Sequence, residues 1–188
     1  NEAYITNWIA PLGPNVDGLE QDIQSFTGVG HCSALSSGTA AVHLGLLLAE
    51  VKPGDYVICQ SMTFSASANP IKYLGAHPVF VDSEIDTWNM DPELLETAIR
   101  DLAKKFIKPK AIIPVHLYGM PAKMHEIMAI AQKYDILVIE DAAESLGSSF
   151  KNHKVGSISD ASIFSFCGNK VLTTGEGGAV VTNSKIIY

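Results

Sequence analysis

From about residue 30 onward the chain alternates short β-branched runs with longer helix-patterned segments, and that alternation is the mark of βαβ units. The pattern predicts strands over residues 32–35, 56–60, 78–81, 110–115, 137–139, 161–166 and 178–182, with helices over 19–27, 39–50, 64–74, 92–105 and 123–134. The strands are mostly unbroken Val, Ile and Leu rather than alternating with polar residues, so helices are expected on both faces. The fold class expected is therefore α/β, with a mainly parallel central sheet. Asp91 before Pro92, with Glu93 and Glu96 following, marks one helix start by a cap, a first-turn proline and acids at the positive end of the dipole.

Composition narrows the class of function. The 188 residues carry 20 acids against 13 bases, a net charge of −7, which argues against a nucleic-acid or anionic-membrane surface. Hydrophobic residues at 47% exclude intrinsic disorder and suffice for a core without metal or disulfides. Cys32, Cys59 and Cys167 are odd in number and far apart, which suits a reducing cytoplasm. No apolar run is long enough to cross a bilayer as a helix. Residues 1–18, with Pro11, Gly13, Pro14 and Gly18, read as an extended N-terminal arm of the sort that packs on a partner, and residues 19–188 as one domain. The start at Asn1 and the apolar stop at Ile187-Tyr188 suggest a piece of a longer polypeptide.

Three blocks could carry chemistry. Ser36-Ser37-Gly38-Thr39 ends a predicted strand and opens a helix, which makes either an anion seat from free N–H groups or an ordinary N-cap. Glu140-Asp141-Ala142-Ala143-Glu144 follows an apolar strand, so Asp141 stands at the sheet edge where ligands of open α/β sheets bind. There it could hold a heterocyclic nitrogen protonated, cap the next turn or bind Mg²⁺. Lys170 lies in Gly168-Asn169-Lys170, among apolar residues and glycines five residues after Ser165. A desolvated lysine favours its free amine and can act as a nucleophile, whereas a surface loop lysine is the plain alternative. The histidines at 31, 43, 77, 116, 125 and 153 have no metal-ligand spacing and read as surface or satisfied core residues, with a structural role the default for His116.

A phosphate seat, an acid for a ring nitrogen and a nucleophilic amine are together what a protein supplies to pyridoxal 5'-phosphate (PLP). On these blocks, with Thr6 to Pro14, Thr63-Phe64 and Gly175-Glu176-Gly177-Gly178, the chain resembles the PLP-dependent sugar aminotransferases of the DegT/DnrJ/EryC1/StrS family, of fold type I. The resemblance implies that Lys170 carries the cofactor and Asp141 faces its ring nitrogen. It places Gly38, Thr39 and Ser165 at the phosphate, with Phe64 and Ala143 on the two ring faces. Glu144 falls where the family usually has His or Gln beside the ring hydroxyl, a departure that would retune the cofactor or reach substrate. Lys170 speaks against the family's dehydratase branch, in which histidine replaces the lysine.

The implied activity is transfer of an amino group from an amino acid, L-glutamate, to a nucleotide-linked keto sugar. The lysine block and Glu144 point to a UDP-linked 4-keto-6-deoxy hexose used for bacterial surface polysaccharide. The resemblance implies a homodimer and a C-terminal small domain beyond this stretch, so 19–188 is expected to correspond to the PLP-binding large domain. One alternative is a non-catalytic or regulatory member that keeps the fold, against which the joint presence of Lys170, Asp141 and Ser165 argues. Another is a Rossmann-type nucleotide enzyme, for which the chain lacks GxGxxG after the first strand.

Overall fold

The computed structural model describes residues 2–184 of the 188; Asn1 and the end at Ile187-Tyr188, used above, lie outside the described residues. In chain order the elements are α1 (Glu2–Thr6), α2 (Pro14–Thr27), β1 (His31–Leu35), α3 (Gly38–Leu48), β2 (Tyr56–Gln60), α4 (Asn69–Tyr73), β3 (His77–Val81), α5 (Pro92–Ala103), β4 (Ala111–Ile113), α6 (Met124–Tyr134), β5 (Leu137–Asp141), β6 (Ser149–Phe150), β7 (His153–Lys154), β8 (Ala161–Ser165) and β9 (Gly178–Thr182). Seven strands form one sheet in the order β1-β9-β8-β5-β4-β2-β3. β3, β2, β4, β5 and β8 run parallel, while β9 is antiparallel to both β1 and β8. The sheet is thus mainly parallel, as the unbroken apolar strands predict.

Both faces are covered. Val57, Cys59, Ala111 and Ile113 pack with α3 residues Ala41, Val42 and Leu46 on one side, and their strand neighbours Ile58 and Ile112 pack with α5 and α6 on the other. This period-2 division of side chains is how a parallel sheet buries a run with no polar alternation. Among the described residues, no helix is long and apolar enough to cross a membrane.

Several boundaries depart from the sequence reading, each for a local reason. Residues 2–18 are not extended throughout: α1 spans Glu2–Thr6, and α2 begins at Pro14, five residues before the predicted start at Leu19. Pro14 occupies the first helical turn, where its missing N–H forfeits no bond, and Gly13 before it has φ 130°. The predicted helix 64–74 breaks into a 3₁₀ turn, Ser65–Ser67, and the short α4 containing Pro70. Pro70 stands in the first turn of α4, where its missing N–H forfeits no bond, and Phe64, ahead of the 3₁₀ turn, is extended and 73% exposed. The strand predicted to 115 ends at Ile113, because Pro114 cannot donate to the ladder. Its carbonyl still accepts the Asp141 N–H at 2.9 Å, which ties the end of β5 to that segment. The β6–β7 hairpin was not foreseen; its two-residue strands are too short for a periodic signal.

One close approach fixes where the site sits. A Cβ on Gly178, at the start of β9, would lie 2.4 Å from the Ser37 carbonyl carbon and 2.6 Å from the Gly38 nitrogen. Only glycine lets the turn before α3 lie on the sheet there. Those are backbone atoms that cannot swing aside, so Gly178→Ala is expected to destabilise the protein by about 3 kcal/mol. Chemical denaturation measures it, and a loss below about 0.5 kcal/mol would show that this approach is not a constraint.

Candidate active site

β5 and β8 end, and α3 begins, at the same edge of the sheet, the place where open α/β sheets bind ligands. A cavity of about 230 Å³ opens there. Gly38, Thr39, Phe64, Asp141, Ala143, Glu144, Ser165 and Lys170, all eight residues named from the sequence, line it.

The α3 start faces the cavity with its backbone donors. Ser37 caps the helix, its Oγ accepting the Ala40 N–H at 3.1 Å, so the ordinary N-cap is realised. The N–H groups of Gly38 and Thr39, in the first turn, have no acceptor within the helix and carry the positive end of its dipole. A Cβ on Gly38 would fall 2.8 Å from the Ser165 Cβ, so the absence of a side chain brings the helix start against the β8 hydroxyl.

Asp141, last residue of β5, is 5% exposed. Its Oδ2 accepts the Ser67 hydroxyl at 2.6 Å and its Oδ1 the Ala143 N–H at 3.2 Å. Burial pushes its pKa above the usual carboxylate range, and the Ser67 and Ala143 donors, with the nearby Lys170 ammonium, oppose that rise. The turn-capping reading of Asp141 is therefore realised in part through Ala143, while the carboxylate still lines the cavity.

Lys170 is not a surface loop lysine. Its side chain is 13% exposed and its Nζ lies 3.1 Å from Glu144 Oε1. The other Glu144 oxygen, Oε2, accepts the Tyr118 N–H at 2.7 Å. Tyr118 has φ 52° and ψ 28°, a left-handed conformation that side chains rarely adopt, in the 3₁₀ turn Leu117–Gly119. The departure at Glu144 thus has a partner within this chain: the carboxylate holds the amine.

The sequence reading gave no role to three participants, although it named Thr63 beside Phe64. Ser67, 1% exposed, and Thr63, whose Oγ1 is 2.8 Å from Ser67 Oγ, line the cavity behind Phe64. A hydroxyl residue in a short turn carries no periodic signal, and only the long-range contact with Asp141 singles Ser67 out. The Tyr118 N–H was missed because a backbone donor is invisible in composition. His116 takes the structural role given to it by default. It is fully buried, accepts the Ala122 N–H on Nδ1 at 2.9 Å and faces Glu140 Oε1 through Nε2 at 2.9 Å.

The donor set suits PLP. A helix start and a hydroxyl meet a phosphate, an exposed aromatic and an alanine can flank a flat ring, a buried carboxylate can hold a ring N–H, and a shielded amine can meet an aldehyde. A testable consequence concerns Asp141 in the cofactor-free protein. Its folded-state pKa is raised, so the ionised form costs stability above that pKa, and the cost disappears as pH falls towards the unfolded value. Asp141→Asn is therefore expected to stabilise the cofactor-free protein at about pH 8 and to lose that advantage near about pH 4. Denaturation at the two pH values measures it, and an advantage that grows on acidification would contradict the burial account.

Comparison with known proteins agrees with this geometry. The chain is 52% identical over 185 residues to EpsN of Bacillus subtilis (strain 168), covering 98% of this chain and 48% of that protein. It is 44% identical to the GDP-perosamine synthase of Escherichia coli O157:H7, covering 100% of this chain and 50% of the relative. The chain thus spans about half the length of the curated relatives it matches. It superposes on the solved PLP-form of Spr1654 from Streptococcus pneumoniae with a TM-score of 0.86 at 35% identity, covering 100% of this chain and 52% of that one. The model of the DegT/DnrJ/EryC1/StrS aminotransferase family matches residues 1–188, and the chain belongs to that family.

Proposed function

We propose that this chain is the cofactor-binding part of a PLP-dependent aminotransferase that moves an amino group from an amino acid, L-glutamate, to a nucleotide-linked keto sugar. The observation that carries the reading is the convergence of Lys170, Asp141, Ser165 and the α3 start on one cavity. PLP, when bound, supplies an electron sink that accepts the electrons released when a proton leaves the donor's α-carbon. The first-turn N–H groups of Gly38 and Thr39 and the Ser165 hydroxyl would hold the phosphate. Phe64 and Ala143 would flank the ring. Asp141 would keep a proton on the ring nitrogen, which is where the sink draws its strength.

Lys170 would hold the cofactor and, with its amine released by the donor, would take the proton from the donor's α-carbon as base and deliver it as acid to the cofactor carbon that receives the amino group. Glu144 sits on the Lys170 amine and can take or return its proton while Tyr118 N–H holds the carboxylate in place.

The sugar is proposed to be a UDP-linked 4-keto-6-deoxy hexose destined for surface polysaccharide. The GDP-perosamine synthase relative makes the GDP-linked sugar the natural comparison. A homodimer is proposed from the arm, where Tyr4, Ile5, Trp8, Ile9 and Leu12 are exposed at 56% or more, an apolar face suited to a second copy. Cytoplasmic placement is proposed from free cysteines, of which Cys32 and Cys59 have thiols pushed up to about 12 by burial.

Protein made from the complete gene and loaded with PLP is expected to aminate the sugar with L-glutamate as donor. Lys170→Ala is expected to lower turnover by about 10³-fold or more. Asp141→Asn should lower the single-turnover rate by about 10²-fold. A panel of UDP-, GDP- and TDP-linked 3-keto and 4-keto sugars decides the acceptor; turnover of 3-keto sugars alone would refute the 4-keto assignment, no turnover of any of them would refute the activity, and normal turnover in Lys170→Ala would refute the role of Lys170.

A further inference from the structure

Asp141 does not face the cavity alone. Its Oδ2 takes the Ser67 hydroxyl at 2.6 Å, the distance of a charge-assisted O–H···O bond, and the carboxylate can only accept. The single Ser67 proton is therefore committed to Asp141, so the bond at 2.8 Å between Thr63 Oγ1 and Ser67 Oγ has Thr63 as donor. The result is a one-way chain, Thr63 to Ser67 to Asp141, in which each donor polarises the next. Ser67 is 1% exposed, so water does not replace its bond. Thr63 and Ser67 also bracket Phe64 in sequence, on the 3₁₀ turn Ser65–Ser67 and the residues before it.

We propose that Ser67 is a positioning residue that sets the charge and direction of the Asp141 carboxylate towards the cofactor's ring nitrogen and couples it to the segment carrying Phe64. This rests on the proposed role of Asp141. Without the Ser67 hydroxyl, the buried carboxylate loses its shortest donor and holds a proton more tightly. A proton shared between Asp141 and the ring nitrogen then moves towards the carboxyl group. A hydroxyl that merely filled space would not alter where that proton sits.

The test uses PLP labelled with ¹⁵N in the ring, bound to protein made from the complete gene, in wild type, Ser67→Ala, Asp141→Asn and the double variant. The ring ¹⁵N chemical shift reports protonation, and titration reports PLP affinity. Ser67→Ala is expected to move the signal towards the unprotonated ring and to weaken PLP binding about tenfold. Adding Ser67→Ala to Asp141→Asn is expected to change the signal no further, because the carboxylate through which Ser67 acts is gone. Ser67→Cys, which keeps a weak donor of similar shape, should fall between wild type and Ser67→Ala, and it carries the comparison if Ser67→Ala binds no PLP. A wild-type signal in Ser67→Ala, or an equal shift in the Asp141→Asn background, would overturn the inference while leaving the role of Asp141 intact. A wild-type signal in Asp141→Asn would overturn that role, and the inference with it.

Discussion

Two carboxylates in succession at the end of one central strand, both removed from water, are the constraint around which the rest of the molecule is arranged. Neighbouring strand residues point to opposite faces, so Glu140 and Asp141 must be satisfied by different parts of the chain. Glu140 is fully buried. Burial pushes its pKa up, but donors from His116, the Gly156 N–H and the Ser159 hydroxyl outweigh that and hold it below the usual carboxylate range. With Nδ1 of His116 accepting from Ala122, the ring's one proton lies on Nε2 and points at Glu140. Asp141, on the other face, has fewer donors and remains above the usual range. The face with the fuller complement of donors is packed into the fold, and the face left short of donors lines the cavity.

The remaining site residues follow from how the sheet edge is built around that strand. β8 lies beside β5 and ends in Ser165. β9 turns back antiparallel beside β8, and its Gly178 admits the turn before α3 to the same edge. The loop between β8 and β9 carries Lys170, whose N–H bonds the Cys167 carbonyl at 2.9 Å, and a bridge between Cys167 and Gly175 closes that loop over the cavity. The Lys170 amine therefore reaches the buried acid's neighbourhood through a connection tied back at Cys167, not through a free surface loop.

How much of this could be read beforehand divides along physical lines. The sheet was legible because unbroken runs such as Val138-Ile139 and Ile112-Ile113 have one stable solution, a strand covered on both faces. Eight residues of the cavity lining were named beforehand because their order, and every type but that of Glu144, resembled a family pattern, and the structure brings all eight to one cavity. The arm was misread from Pro11, Gly13 and Pro14, since proline starts helices as readily as it prevents them. Ser67 and the Tyr118 N–H were not legible: one acts across a separation of 74 residues and the other through its backbone, and neither leaves a mark on local pattern. The pairing of Glu144 with Lys170, 26 residues apart, was hidden for the same reason, although the unusual acid itself was visible.

The central claim is that the shielded Lys170 amine is the point at which the cofactor is held. Reduction of the PLP-loaded protein with borohydride, followed by proteolysis and mass spectrometry, tests it directly. The account predicts a single phosphopyridoxyl group on the peptide bearing Lys170. Modification spread over exposed lysines such as Lys104 and Lys108, with Lys170 unmodified, would contradict it.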